Sequence, residues 1–158
     1  MSTADFPSMT TAEIRSTFLK FFEERGLKLY PSSSLVPDDP SLLLANAGMN
    51  QFKEYYQGKK TMKEIGACSC QKCVRTNDID CIGEDGRHLS FFEMLGDFSF
   101  GGVSKAQACA WAFELITEKF HLPVERLYFT IFTDDDETHD VWRSLGVPED
   151  HISRLGED

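Results

Sequence analysis

The sequence Phe-Phe-Glu-Met-Leu-Gly-Asp-Phe-Ser-Phe-Gly-Gly, residues 91–102, decides the fold. Its four phenylalanines alternate with acidic residues, small residues and glycines, a composition that a plain core strand does not need. We expect a strand that presents Phe92 as a flat face for another ring and Glu93 as a hydrogen-bond acceptor. The glycines that follow allow a second backbone to approach closely. Such a surface suits a purine nucleotide.

A second short segment lies upstream, at residues 71–75, Gln-Lys-Cys-Val-Arg. It can pair antiparallel with the first segment, with residues 76–87 as the connecting loop. This pairing would place Arg75 on one strand and Arg87 at the mouth of the other, both close to Phe92. Arginine suits phosphate because its planar fork donates two parallel hydrogen bonds. The two segments therefore predict a site for a nucleotide phosphate.

The rest of the sequence predicts further helices and strands from the spacing of apolar residues and from capping residues. We expect helices from Thr11 to Arg25, from Gln51 to Tyr56, from Ser104 to the residue before Pro123, and from Asp134 to Leu145. Strands are predicted from Leu27 to Tyr30, from Leu42 to Leu44, from Leu127 to Phe132 and from Ile152 to Leu155. This order indicates an α/β (α+β) fold, and no Gly-x-Gly-x-x-Gly follows a strand as a Rossmann fold would require.

Five motifs, in order along the chain, carry a resemblance to a known family. They are Ser-Ser-Ser-Leu-Val-Pro at 32–37, Asp-Pro-Ser-Leu-Leu-Leu at 39–44, Asn-Ala-Gly-Met-Asn-Gln-Phe-Lys at 46–53, Gln-Lys-Cys-Val-Arg at 71–75 and Phe-Phe-Glu-Met-Leu-Gly at 91–96. On these motifs the chain resembles the alanyl-tRNA synthetases, which are class II aminoacyl-tRNA synthetases. The resemblance covers roughly residues 10–158 and implies an antiparallel sheet flanked by helices, with class II motifs 1 and 2.

The resemblance also implies a reaction and the residues that serve it. Alanine would be activated with ATP and Mg²⁺ to alanyl-adenylate and then transferred to tRNA(Ala). Arg75 would act in catalysis by gripping the ATP α-phosphate, and Arg87 would reach other phosphate oxygens. Phe92 would stack on adenine beside Glu93 as an ATP-binding acceptor. Met49 would form a wall of the alanine pocket.

The domain prediction assigns residues 1–10 to a flexible amino-terminal segment and residues 11–158 to a partial catalytic domain. Motifs 1 and 2 are present, but no glycine-rich motif 3 with its arginine appears before Asp158. Two interpretations stay open. The chain is either the motif 1 and motif 2 part of an alanine-activating ligase, or a shortened stand-alone relative. Such a relative would bind a nucleotide, an adenylate or a protein partner without aminoacylating tRNA.

Composition limits the partners that we expect. The net charge of −10 argues against a large nucleic-acid footprint, so tRNA would bind mainly through regions outside this chain. No uninterrupted apolar run approaches the roughly 20 residues of a membrane span, and the start of the chain lacks the pattern of a signal peptide. We therefore expect a cytoplasmic protein without a membrane partner, and the resemblance allows a homodimer.

Two clusters of potential metal ligands have alternative interpretations. Four cysteines fall within fourteen positions: Cys68, Cys70, Cys73 and Cys81. They can be interpreted as free thiols, as a zinc site or as members of a disulfide. Their spacing is not the paired Cys-x-x-Cys pattern of a structural zinc site. The acidic run at residues 134–137 indicates either the first turn of a helix or a site for a divalent metal ion.

Overall fold

The computed structural model describes residues 8–76, 79–86 and 88–157. These residues form two compact units. One unit comprises residues 15–102, and the other comprises residues 103–157 together with residues 8–14. Most of the predicted flexible segment at residues 1–10 lies outside the described residues, and the extent of the catalytic domain stays a prediction.

A three-stranded sheet forms the centre of the first unit. Its strands are β1 (Lys28–Tyr30), β2 (Gly66–Val74) and β3 (Phe91–Ser99), in the order β1-β2-β3. Strand β2 pairs parallel with β1 and antiparallel with β3, and Cys73 lies opposite Phe92. The predicted antiparallel pairing of the two motif segments is therefore confirmed.

Helix α1 (Thr11–Glu23) precedes this sheet, as the sequence predicts. Its start is a capping box, because the Glu13 backbone N–H donates to Thr10 Oγ1 while the Glu13 carboxylate accepts from the Thr10 N–H. Gly26 has a φ of 86°, the left-handed conformation that commonly follows the last turn of a helix. The helix buries three phenylalanines, Phe18, Phe21 and Phe22, so its apolar face belongs to the core.

The connection between β1 and β2 contains a 3₁₀ turn, Gly48–Phe52, that continues into α2 (Lys53–Tyr56). This agrees with the predicted short helix, but the predicted strand at residues 42–44 is wrong. The Asp39 carboxylate accepts hydrogen bonds from the backbone N–H and the hydroxyl of Ser41, at 2.9 and 2.6 Å. This local turn bends the backbone where a strand would begin, and Leu43 is left 93% exposed.

The second unit has α3 (Lys105–Glu114), β4 (Phe129–Phe132), α4 (Asp136–Ser144) and β5 (Ile152–Leu155). Helix α3 continues as one π-helical turn, Leu115–Lys119. Ser104 caps α3 by accepting from the Gln107 N–H at 3.2 Å, and β4 pairs parallel with β5. The helices and strands predicted for this region are thus confirmed. Among the described residues, none of the helices has the length and apolar character of a membrane span.

The acidic run forms the start of α4, so its interpretation as a helix first turn is confirmed. Asp135 accepts from the Thr138 N–H at 3.1 Å and from Lys105 Nζ at 2.9 Å. Lys105 above all, followed by Thr138, lowers the pKa of Asp135 from 3.8 to about 2. Because this pKa is lower in the folded chain, the contribution of Asp135 to stability is present above about pH 4 and fades as the pH falls toward 2.

Replacing Asp135 with alanine should therefore lower the melting temperature most at neutral pH. The difference from the wild type should narrow when the melts are repeated between about pH 5 and pH 3. Asp134→Ala is the matched control, because this neighbouring carboxylate is exposed and outside the cap. A difference that stays constant over this pH range would mean that the Asp135 charge does not stabilise α4.

Candidate functional site

The antiparallel pair β2–β3 has two different faces, because successive side chains of a strand point to opposite sides. Pairing places Gln71 opposite Met94 and Cys73 opposite Phe92 on one face, which also carries Phe98. We call these five residues the site face. Helix α1 covers the opposite face, where the Cys68 thiol contacts the Leu19 carbonyl oxygen at 3.9 Å.

Arg75 and Phe92 meet at the open end of the site face. The pairing of β2 and β3 extends to Arg75, whose N–H donates to the Ser90 carbonyl oxygen at 2.9 Å. The Arg75 guanidinium carbon lies 5.3 Å from the centre of the Phe92 ring. Arg75 Nε also donates to the Asn46 carbonyl oxygen at 3.0 Å, which fixes the plane of the guanidinium. A cationic fork and an aromatic ring thus lie side by side, as the sequence predicts.

The segment Asn46–Met49 packs against the same face. The Val74 N–H donates to the Ala45 carbonyl oxygen at 2.9 Å, and the Gly48 N–H contacts the Met94 sulfur at 3.1 Å. A Cβ on Gly48 would lie 3.0 Å from the Phe98 ring, so only glycine fits this approach without a shift. Met49 follows directly and is 46% exposed. The turn that carries Met49 therefore lies on the same side of the sheet as Arg75.

Residues 13–158 match the family of tRNA synthetases class II (A). The chain belongs to this family. The resemblance to alanyl-tRNA synthetases and the mixed α/β fold expected from the sequence are both confirmed.

Alanine–tRNA ligases resemble this class II synthetase chain over nearly its full length. The chloroplastic/mitochondrial alanine–tRNA ligase of Oryza sativa subsp. indica is 53% identical over 146 residues, or 92% of the chain. The ligase of Synechococcus elongatus is 50% identical over 95% of the chain, and that of Dehalococcoides mccartyi is 52% identical over 91%. The chain spans 15–17% of the length of these relatives.

Glu93 is not brought to the site face of this class II synthetase chain. Its carboxylate points to the opposite face, where Arg15 binds one oxygen through Nη2 at 2.6 Å and through Nε at 3.1 Å. Arg15 lowers the pKa of Glu93, so the carboxylate is ionised and paired. Arg15 was not among the residues predicted from the sequence. Its position three and seven residues before the buried Phe18 and Phe22 placed a cation on the apolar face of α1, which signals an acidic partner.

Arg87, the second arginine predicted to bind phosphate, lies outside the described residues. Its role stays a prediction.

The cysteines of the synthetase chain are distributed over different surfaces. Cys68 and Cys70 lie on the face that α1 covers, Cys73 is buried on the site face, and Cys81 is exposed in a separate 3₁₀ turn. Burial raises the pKa of the Cys68 thiol to about 11 and also raises that of Cys73. Within residues 8–76, 79–86 and 88–157, no three His, Cys, Asp or Glu side chains are placed to hold a metal ion. The zinc interpretation therefore gains no support from these cysteines.

A cleft of about 610 Å³ lies beside the 3₁₀ turn, between residues 33–42 and residues 50–59. Lys53 Nζ contacts Asp39 Oδ2 at 2.6 Å on its wall, and this ion pair with the Ser41 hydrogen bonds lowers the pKa of Asp39. The cleft lining does not include Arg75, Phe92 or Met49. The cleft therefore lies beside the pair of Arg75 and Phe92 and does not enclose it.

Proposed function

We propose that this chain provides the motif 1 and motif 2 part of an alanine-activating site, which forms alanyl-adenylate from alanine and ATP and transfers alanine to tRNA(Ala). The observation that supports it most directly is the placement of Arg75 beside the Phe92 ring, with the turn that carries Met49 on the same side of the sheet. The similarity to alanine–tRNA ligases over 90% or more of the chain supports the choice of alanine.

Each residue of the proposed site has one task in the first reaction. The alanine carboxylate attacks the α-phosphorus of ATP, and pyrophosphate leaves. Phe92 stacks on adenine, and the Arg75 fork binds oxygens of the α-phosphate, where negative charge develops in the transition state. Holding carboxylate and phosphate in register removes much of the entropic barrier of a two-substrate reaction. Met49 limits the space for the amino-acid side chain.

Mg²⁺ would enter together with the ATP phosphates and neutralise their charge. The described residues do not gather three potential metal ligands, so we assign no Mg²⁺ ligand to this chain. The net charge of −10 supports a tRNA grip outside the chain. Homodimer formation stays a prediction. A cytoplasmic location also stays a prediction, since the similar proteins include a chloroplastic/mitochondrial ligase.

Thermal melting with ligands tests this proposal on the 158-residue chain itself. A non-hydrolysable alanyl-adenylate analogue at 100 times its Kd should stabilise the folded chain by about 2.7 kcal/mol. For a chain of this size that corresponds to a rise of roughly 5–10 °C in the melting temperature. ATP with Mg²⁺ at the same concentration as the analogue should produce a smaller rise, because it lacks the alanyl group and should bind less tightly.

Glycyl- and seryl-adenylate analogues, each at the concentration used for the alanyl analogue, are the controls for the amino acid. An equal rise with all three analogues would contradict the choice of alanine. A rise with ATP that the alanyl analogue does not exceed would support the shortened nucleotide-binding relative instead. No rise with any of these ligands would reject the proposed site for this chain.

A further inference from the structure

Gln71 is a buried polar side chain at the centre of the site face, and it is 1% exposed. Its Oε1 accepts hydrogen bonds from the Ser33 N–H at 2.8 Å, from the Ser33 hydroxyl at 3.0 Å and from Gln51 Nε2 at 3.1 Å. Its Nε2 donates to the carbonyl oxygens of Ser33 and Lys72, at 3.2 and 2.8 Å. One amide therefore connects three separate parts of the chain.

These bonds require both ends of an amide. A buried polar group destabilises the fold unless it is hydrogen-bonded, and Gln71 has donors and acceptors paired. Glutamate could accept from Ser33 and Gln51 but could not donate to the carbonyl oxygens, and methionine could do neither. The position therefore favours glutamine for reasons beyond its volume.

One hydrogen-bond partner of Gln71 lies in the turn that forms part of the proposed alanine pocket. Gln51 belongs to the 3₁₀ turn Gly48–Phe52, which also carries Met49. The open side of Gly48 faces Gln71 as well, since a Cβ there would lie 3.7 Å from the Gln71 Cβ. Gln71 thus holds this turn against the strand that also carries Arg75 at its end.

We infer that Gln71 is a positioning residue, which sets the distance between the Met49 turn and Arg75 so that one alanyl-adenylate contacts both. This inference rests on the proposed function. Gln71 touches no substrate atom in this role and acts through Gln51 and the backbone of Ser33. Its contribution should therefore appear for a ligand that spans both groups and be absent for one that reaches only Arg75 and Phe92.

Gln71→Met tests this because methionine has a similar volume and forms none of the five hydrogen bonds. We expect the Kd of the non-hydrolysable alanyl-adenylate analogue to rise about tenfold, the factor that a lost hydrogen bond of ordinary strength produces. The Kd of AMP should change less than about twofold, because AMP lacks the alanyl group and reaches only Arg75 and Phe92. Isothermal titration of both ligands gives the ratio of the two Kd values.

Ser69→Ala is the matched control. Ser69 lies on the same strand and the same side as Gln71 and is 0% exposed, and its hydroxyl has no hydrogen-bond partner among the described residues. This variant should leave the ratio unchanged. Gln51→Met removes one partner of Gln71 from the more exposed side and should reproduce part of the ratio change. The double variant should show less than the product of the two single effects if Gln71 acts through Gln51.

The outcomes separate the two claims. If the wild-type chain binds neither ligand, the proposed function fails and the inference fails with it. If the wild type binds both ligands and the Gln71 and Gln51 variants keep the wild-type ratio, only the inference is overturned. An equal loss for AMP and for the analogue would also overturn it, since that result indicates general loosening of the fold. Should Gln71→Met not melt cooperatively, the Gln51→Met ratio decides.

Discussion

Replacing Arg75 with alanine should weaken the binding of ATP and of the alanyl-adenylate analogue by about 10- to 150-fold, the range for a hydrogen bond to a charged group. The guanidinium lies beside the Phe92 ring and is oriented by the Asn46 carbonyl oxygen, so the proposed phosphate contact requires no rearrangement of this side chain. Titration calorimetry with ATP and Mg²⁺ measures the loss. The effect should be the largest that one substitution produces on binding.

Two further substitutions separate the charge of Arg75 from its geometry. Arg75→Lys keeps the charge but loses both the planar fork and the Nε bond to Asn46, so its affinity should fall between the wild type and alanine. Lys72→Ala removes an exposed cation from the same strand, on the opposite face, and should have little effect. Adenosine, which has no phosphate, provides the third comparison. If Arg75→Ala weakens adenosine as much as ATP, the assignment of Arg75 to the α-phosphate is wrong.

The sequence predicted the pairing of β2 with β3 because both segments carry local signals. Alternating side chains in residues 91–99 favoured a strand, and Arg75 and Phe92 each had a chemical reason to face a nucleotide. Helix α1 was equally predictable, since Thr10 and Glu13 form a local capping box. Signals of this kind lie within a few residues and do not depend on the rest of the fold.

The start of β2 could not be predicted, because residues 66–70, Gly-Ala-Cys-Ser-Cys, contain few strand-forming side chains. Their strand conformation comes from pairing with β1 on one side and β3 on the other. At Gly66 the neighbouring strand approaches so closely that a Cβ would lie 2.2 Å from the Phe98 carbonyl oxygen. Tertiary pairing therefore overrides the weak local preference of this segment.

The partners of Glu93 and Gln71 also depend on tertiary structure. Glu93 was expected to be an ATP-binding acceptor beside Phe92, but neighbouring residues of a strand point to opposite faces. Its partner, Arg15, is 78 residues away in the sequence. Gln71 binds Ser33 across 38 residues, and nothing local in its motif distinguishes a buried amide from an exposed one. Chemical type was readable from the sequence, whereas the choice of face and partner was set by the sheet.

Phe52→Ala should cost the largest loss of stability, about 3–5 kcal/mol, which is the usual range for removing a buried phenylalanine ring. Phe52 is 1% exposed and ends the 3₁₀ turn that carries Met49. Its ring centre lies 4.8 Å from that of Phe98 and 5.1 Å from that of Tyr30. Removing this ring leaves a cavity between the turn and the sheet. Urea unfolding of both chains measures the difference in free energy.

Phe52→Leu and Tyr56→Ala provide the comparison for this prediction. Leucine fills most of the cavity, so its cost should be clearly smaller than that of alanine. Tyr56 contacts Phe100, whose ring centre lies 6.0 Å from that of Phe52. Because Tyr56 is 50% exposed, its replacement should lower the free energy of unfolding less than that of Phe52. If Phe52→Ala costs no more than Tyr56→Ala, the ring does not anchor the turn.

The same substitution also tests whether the core and the proposed site are one structure. Phe52 is the last residue of the turn that begins with Gly48 and Met49. The Phe98 ring packs against the Phe52 ring and also faces the open side of Gly48. A cavity at Phe52 should therefore let the turn move away from Arg75. At a temperature where the variant remains folded, we expect Phe52→Ala to weaken the binding of the alanyl-adenylate analogue more than the binding of AMP. If Phe52→Ala changes the Kd of the analogue and the Kd of AMP by the same factor, the hydrogen bonds of Gln71 hold the turn in place without the Phe52 ring.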